Sequence, residues 1–361
     1  MTHTVPPEVR SAIRDAHALL GSGDARGAIE TLTQANRADP NPAYERALVR
    51  LRHEGCASLP PPGSPSSEPI VAEPGDGQVV EVTAAELTTE AIRMGLARSG
   101  SLLVRGLIPE GRAAQLVNGI EATYAAFDAA AAGQDHDDTW YVPFPMPAVI
   151  APTNAGDAVR LSPGAPPAAN VGPTLHRKIT RDGAGIWTVE SPRMLFEFFE
   201  VVDEVGLGEV ISSYLGERPF LSANKCTLRK VPAAEPTGGW HQDGAFLGRD
   251  IGSLNCWIAL NHCGIDAPGI DVVPKRFDDI VTPGGSGAYF KWSLSDDDVR
   301  EAAGDLQPVR PEFGPGDALL FDHRLVHRTG GSPEMLRERY AIESWWFAPS
   351  AFPPSQLPLV Y

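Results

Sequence analysis

Apolar residues recur three and four positions apart through residues 8–53. Val9, Ile13, Ala16, Leu19 and Leu20 form one stripe, interrupted by Gly21-Ser-Gly-Asp24. Ala28, Ile29, Leu32 and Ala35 form a second, and Ala43, Ala47, Leu48 and Leu51 a third, with Pro42 suited to a first helical turn. This spacing predicts three short helices set apart from the rest of the chain. Residues 57–77 carry six prolines and almost no apolar periodicity, the pattern of a semi-extended linker. The expected division is therefore a helical segment over 1–56, a Pro-rich linker over 57–78 and a main domain over 79–361. From Val79 the pattern reads strand, helix, strand, then a helix through Ala113–Ala131. A loop-rich tract occupies 133–190, and a helix about 192–215. Beyond Phe220 short β-like runs alternate with Gly, Pro and Asp turns: LSANKCTLRKV, GGWHQDGAF, LNCWIAL, GIDVVP, GDALLFD and RYAIESWWF. Such runs at such spacing predict an antiparallel barrel or double-sheet jelly roll, an α+β fold once the flanking helices are counted.

Composition narrows the function classes. Gly (36) and Pro (34) are frequent but without a collagen-like period, which favours a loop-rich β-containing fold over a helical bundle. The formal charge of −16 repels phosphate backbones and anionic lipid, so neither nucleic acid nor a membrane is an expected partner. No run approaches the roughly 18 apolar residues of a membrane span, and the N-terminus has no basic stretch followed by an apolar core. Cys56, Cys226, Cys256 and Cys263 form no CxxC pair and read as reduced thiols. A cytoplasmic location is the expectation.

The chemistry concentrates in Gly239-Trp-His241-Gln-Asp243-Gly. Along an extended strand, residues two apart project from one face, so His241 and Asp243 would offer an imidazole nitrogen and a carboxylate oxygen to one point. A third ligand must come from elsewhere, and His262, His323 and His327 are the candidates. His327, in LVHRTG beyond the apolar run GDALLF, is the best placed of the three. Two histidines and a carboxylate leave about three positions open on a metal, as non-haem Fe(II) oxygenases require.

WHQDGAF, the Trp257-containing CWIAL, GDALLFDHRLVHRTG and RERYAIESWWF, in that order, resemble the phytanoyl-CoA dioxygenase family over roughly 80–361. The resemblance implies a double-stranded β-helix (jelly-roll) core and an Fe(II)- and 2-oxoglutarate-dependent dioxygenase that consumes O2. It implies metal ligation by His241, Asp243 and His327, the three residues that carry catalysis. The family's arginine for the distal carboxylate of 2-oxoglutarate follows the second histidine by ten to twelve residues, which points to Arg339 with Arg337 in reserve. A guanidinium fork matches a carboxylate with two parallel hydrogen bonds. Thr329 would bond the same carboxylate, Asn224 matches a polar position that contacts 2-oxoglutarate, and Trp257 matches a tryptophan lining the pocket. Halogenating relatives have Gly or Ala where Asp243 stands, so oxidation without halide transfer is expected. One departure stands out: Pro274-Lys275-Arg276-Phe277 replaces a Gly-Ser-His segment frequent in the family.

The substrate is expected to be a small metabolite or biosynthetic intermediate. Gln242, Phe246, His323, Arg177 and Lys275 are candidates to contact it, with specificity residing in 133–193 and 245–292. The cluster Arg177, Lys178, Arg181 and Arg193 reads either as an anion-recognition patch or as a face balancing local acids. His262, His176 and His136 read as ordinary histidines, and Asp296–Asp298 as a helix start with acids set against the dipole. Two other enzymes fit the same residues: one acting on a peptide held by the N-terminal helices, which resemble a single tetratricopeptide-type hairpin, and a jelly-roll metalloenzyme of non-oxygenase chemistry. A homodimer contact is another use for those helices.

Overall fold

Along β12, Arg339–Phe347, alternate residues divide between two environments. Ala341, Trp345 and Phe347 belong to one apolar cluster, and Ile342 and Trp346 to another. Neighbouring strands obey the same period of two. In β7, Ser253–Ala259, Trp257 and Ala259 join the first cluster while Leu254, Cys256 and Ile258 join the second. In β10, Ala318–Phe321, Leu319 and Phe321 face one way and Ala318 and Leu320 the other. A sheet buried on both faces reads in sequence as an apolar run, which is why CWIAL and ALLF show little alternation.

The computed structural model describes residues 5–59, 70–146, 173–282 and 293–361, with backbone only for 173–176. Parts of the tracts expected to shape specificity, and the side chain of His176, lie outside the described residues. The chain is a mixed helix and strand fold with two sheets. The larger has nine strands, in the order β1 (Val80–Thr83), β2 (Ser101–Arg105), β10, β7, β12, β4 (Phe220–Ser222) and β13 (Pro358–Val360). β5 (Thr227–Val231) pairs with β12 and with β3 (Gly185–Trp187). The smaller sheet runs β8 (Gly269–Val272), β11 (His327–Gly330), β6 (Trp240–His241) and β9 (Ser293–Leu294). One face of the large sheet packs under helices, including α4 (Thr89–Ser99), α5 (Glu110–Ala131) and Pro192–Glu204. Its other face meets the small sheet, with Ile270 and Val272 beside Trp257 and Phe321.

Two expectations differ from the structure. The tract 133–190, expected to be loop-rich, contains the helix Pro173–Asp182 and strand β3. The helix expected at 192–215 is two helices, Pro192–Glu204 and Leu207–Leu215, parted at Gly206, whose φ of 65° is the left-handed conformation glycine adopts freely.

The N-terminal segment forms α1 (Pro7–Gly21), α2 (Ala25–Ala38) and α3 (Pro42–Glu54). Asp24 and Asn41 cap α2 and α3 by accepting from backbone N–H groups of Gly27 and Ala43. These helices are docked on the main body. Arg37 pairs with Glu200 at 2.7 Å and Arg193 with the buried Glu45 at 2.5 Å. Arg52 donates to the Val360 carbonyl and lies 3.7 Å above the Phe199 ring. Asp296–Asp298 opens a helix whose capping box joins Ser295 and Asp298. No helix among the described residues is long and apolar enough to cross a membrane.

Candidate metal centre

Strand register builds the site. β6 and β11 pair antiparallel with His241 directly opposite His327, so the two imidazoles share a face with ring centroids 4.3 Å apart. His241 Nδ1 sits 3.0 Å from the Gly239 carbonyl and His327 Nδ1 3.1 Å from that of Leu325. A carbonyl only accepts, so each Nδ1 carries the proton and each Nε2 is left as a lone-pair donor. Burial, the largest effect, together with the neighbouring His327 pushes His241 down to about 4, which keeps it neutral and able to ligate.

Asp243 reaches the same point by a different route from the one expected. β6 ends at His241, and Asp243 adopts helical backbone angles at the start of the one-turn helix Gly244–Leu247. The turn, not an extended strand, swings the carboxylate inward. Gly244 permits it: a Cβ there would lie 2.8 Å from the His323 ring and 3.0 Å from its carbonyl oxygen. Asp243 is 1% exposed, with Oδ1 accepting from Lys225 Nζ at 2.9 Å and Oδ2 3.5 Å from His327 Nε2. Burial pushes its carboxyl upward, but Lys225 and the two imidazoles outweigh that and hold it below its ordinary value. The ligand atoms of His241, Asp243 and His327 all lie within 4.8 Å of one another, the only such group of three among the described residues. Two imidazoles and one carboxylate suit a divalent transition metal.

His241 and His327 of this triad line a cavity of about 250 Å³. Trp257, Thr329 and Arg339 also line it. Arg339 lies over the Trp257 ring at 5.5 Å and donates to the Gly269 carbonyl, while its Nε has no partner. No carboxylate stands within ion-pair distance of it among the described residues. Burial without an anion lowers its pKa to about 10, so this cation is short of a counter-charge. Phe246 stands beside the site, 6.5 Å from the His241 ring and 4.8 Å from Lys225 Nζ.

Other expected site residues are placed elsewhere. Asn224 accepts from Leu357 N–H and donates to the Ser355 carbonyl, tying down the C-terminal segment; the adjacent Lys225 faces the cavity instead. Gln242, between His241 and Asp243, donates to the carbonyls of Arg324 and Asp279 and accepts from the Val281 N–H. His323 is buried against Ser253 Oγ and the Arg249 carbonyl, in the wall of a second cavity. Arg177 pairs with buried Glu190, and Lys275 donates to the Ala302 carbonyl. Arg337 is exposed and pairs with Asp266. The whole cluster Arg177, Lys178, Arg181 and Arg193 is matched by Glu190, Asp182, Asp128 and Glu45, so it balances local acids.

Sequence reasoning missed Lys225, Arg229, Asn255 and Glu343, all in the cavity wall. Lys225 bridges Asp243 and Glu343, and Arg229 pairs with Glu343 at 2.6 Å. Burial favours the neutral acid at Glu343, but Lys225 and Arg229 overrule it and drive its pKa far down. Asn255 Oδ1 is buried without a partner. The available signal was a charged residue inside an apolar strand, Glu343 in YAIESWWF, because a charge is rarely buried unless paired or functional.

The profile of the phytanoyl-CoA dioxygenase (PhyH) family matches residues 96–335 of the chain. No curated protein sequence matches it significantly. Among solved structures, EctD from S. alaskensis with bound Fe is similar at 16% identity and a TM-score of 0.47, over 80% of this chain and 84% of that one. AviO1 from Streptomyces viridochromogenes Tue57 is similar at 16% identity and a TM-score of 0.44, over 74% of this chain and 97% of its own. The non-heme alpha ketoglutarate dependent epimerase SnoN from nogalamycin biosynthesis is similar at 13% identity and a TM-score of 0.44, over 72% and 82% of the two chains.

Proposed function

The chain belongs to the phytanoyl-CoA dioxygenase family, and from that premise we propose that it is an Fe(II)- and 2-oxoglutarate-dependent oxygenase acting on a small molecule. One observation carries the reading: the two histidines of a two-histidine, one-carboxylate set and a buried arginine with no ion pair among the described residues line the same cavity. His241, Asp243 and His327 are the iron ligands, and the two sheets are the halves of a double-stranded β-helix. The open metal positions accept 2-oxoglutarate and O2.

When bound, Fe(II) with 2-oxoglutarate and O2 supplies the oxidising power for a substrate C–H bond, with succinate and CO2 released. The chain's residues position the reactants. Arg339 takes the distal carboxylate of 2-oxoglutarate, relieving an unpaired buried cation, and Thr329 adds a hydroxyl to it. Trp257 supports the Arg339 guanidinium from below. Lys225 holds one oxygen of Asp243, which fixes the other toward the metal, and Arg229 and Glu343 anchor Lys225 in turn. Asp243 fills the place that halogenating relatives leave vacant, so the reaction is an oxidation without halide transfer. No described residue of the N-terminal helices lines the cavity, which favours a small molecule over a peptide held by them.

Anaerobic titration with Fe(II) and then 2-oxoglutarate tests the reading. The weak visible charge-transfer band of chelated 2-oxoglutarate is expected in the native protein and absent in His327→Ala. Metal binding without the band, or turnover with Zn(II) independent of 2-oxoglutarate, would establish a non-oxygenase metalloenzyme instead.

A further inference from the structure

Backbone strain in this chain is concentrated at the metal cavity. Among the described residues, Ala184 and Ala234 are the only non-glycine residues in the left-handed region, each with a φ of 58°. A Cβ disfavours that region, and residues held there gather where the surroundings fix a functional geometry. Ala184 lines the cavity, its carbonyl accepting from the Tyr124 hydroxyl at 2.8 Å and from the Lys230 N–H at 3.2 Å. Ala234 directly precedes Glu235, a half-buried residue that lines the cavity from another segment. Just beyond Glu235 that segment is tied to β11 and the residue after it. The Gly238 N–H donates to the Thr329 carbonyl at 2.8 Å, and Thr237 Oγ1 donates to the Gly331 carbonyl at 2.7 Å. A strained turn on one side and two anchors on the other thus hold the Glu235 backbone in the wall.

A tally of charge in the same wall leaves Glu235 over. Lys225 and Arg229 are committed to Asp243 and Glu343. Arg328 pairs with Asp271 at 3.0 Å and with Asp296 at 3.5 Å. Arg339 is the cation that the oxygenase reading assigns to the distal carboxylate of 2-oxoglutarate. Glu235 makes no hydrogen bond and no ion pair among the described residues, and it acts on Arg339 only from beyond ion-pair distance. With 2-oxoglutarate on Arg339, every cation of this wall is matched and one carboxylate is not. 2-Oxoglutarate offers two carboxylates and a keto oxygen, which only accept, so it brings no donor to Glu235.

We propose that Glu235 is a specificity-determining residue of this cavity and that the substrate carries a cationic nitrogen, a protonated amine, which Glu235 receives. The proposal deepens the oxygenase reading and rests on it for the placing of 2-oxoglutarate on Arg339. A fixed carboxylate attracts an ammonium group and repels an anionic group presented to the same place, so it sorts substrates by charge as well as by shape.

The test is calorimetric titration of the full chain, at constant ionic strength, with pentylamine and with pentanol, its neutral counterpart of equal length. The amine should bind saturably and more tightly than the alcohol. Glu235→Gln keeps the shape of the side chain and removes no hydrogen bond, so the fold should hold. It should weaken amine binding about fivefold and leave the alcohol unchanged. Glu235→Lys should abolish amine binding. In a chain of net charge −16, general attraction of an amine to the surface is the competing explanation, and it would survive both substitutions. Absence of saturable amine binding, equal affinity for amine and alcohol, or amine affinity unchanged in Glu235→Gln would each overturn the proposal. The titrations need no iron. A missing charge-transfer band with the amine preference intact would therefore count against the oxygenase reading, whereas the band without that preference would count against Glu235.

Discussion

Two cavities stand on either side of residues 322–327, and the buried charge in their walls is arranged differently. In the metal cavity, Asp243, Lys225, Glu343 and Arg229 form a chain of ion pairs, and Arg339 has no ion pair among the described residues. In the second cavity, Asp322 accepts from the Arg276 guanidinium on one oxygen and from the Arg324 backbone N–H on the other. The first arrangement fixes geometry, because every pair restrains the next and the restraint ends on Asp243, a proposed metal ligand. Two histidines four residues apart show the same division. His327 turns Nε2 toward Asp243, whereas His323 spends both ring nitrogens on protein groups.

Arg339 offers the sharpest way to break this comparison. Arg339→Met should weaken 2-oxoglutarate binding about 100-fold, the equivalent of two charge-assisted hydrogen bonds. It should also raise the melting temperature of the cofactor-free protein, because an uncompensated buried cation is removed. Unchanged 2-oxoglutarate affinity would move the distal carboxylate to another residue.

Gln242 ties the two cavities together, so its loss should register as stability. Gln242→Leu leaves the Val281 N–H and two carbonyls without their partner, and denaturant unfolding should show a loss of about 1–3 kcal/mol. A stable variant with impaired turnover would instead make Gln242 a substrate contact.

His323 sets a pH dependence. Burial holds its folded pKa below the ordinary histidine value, so at mildly acid pH the unfolded chain takes up the proton first. Stability should therefore be full above the unfolded value of about 6.5 and decline as pH falls below it. His323→Gln removes that contribution, and its stability should fall less steeply with acid, by up to about 1.4 kcal/mol per pH unit. An unchanged slope in urea unfolding at pH 7 and below 6 would show that the ring protonates as easily folded as unfolded.

The smallest effect is expected at Arg337. It is exposed and pairs only with Asp266, so Arg337→Ala should change 2-oxoglutarate affinity by less than about twofold. A large loss would exchange its role with that of Arg339.

Much of the strand content was legible because β-structure declares itself locally: turn residues bound short β-branched and apolar runs. So were the three N-terminal helices, whose stripes repeat at helical spacing. The His241, Asp243 and His327 grouping was legible as residue types in a known order. What that order did not contain was direction. Asn224 and Lys225 are neighbours on one turn, and only the packed chain shows that the lysine faces the cavity while the asparagine holds residues 355–357. Glu343 became a partner of Lys225 and Arg229 only because β12 pairs with β5 and β7 in one register. Sequence alone therefore determined which candidate ligand residues the chain carries, in which order, and roughly which segments fold, since residue type, propensity and periodicity are local properties. The tertiary structure decided which charges meet, which arginines go unpaired and that two cavities exist where the motif implied one. Those outcomes depend on strand register and on the side of a turn from which a side chain projects, and a shift of one residue reverses both.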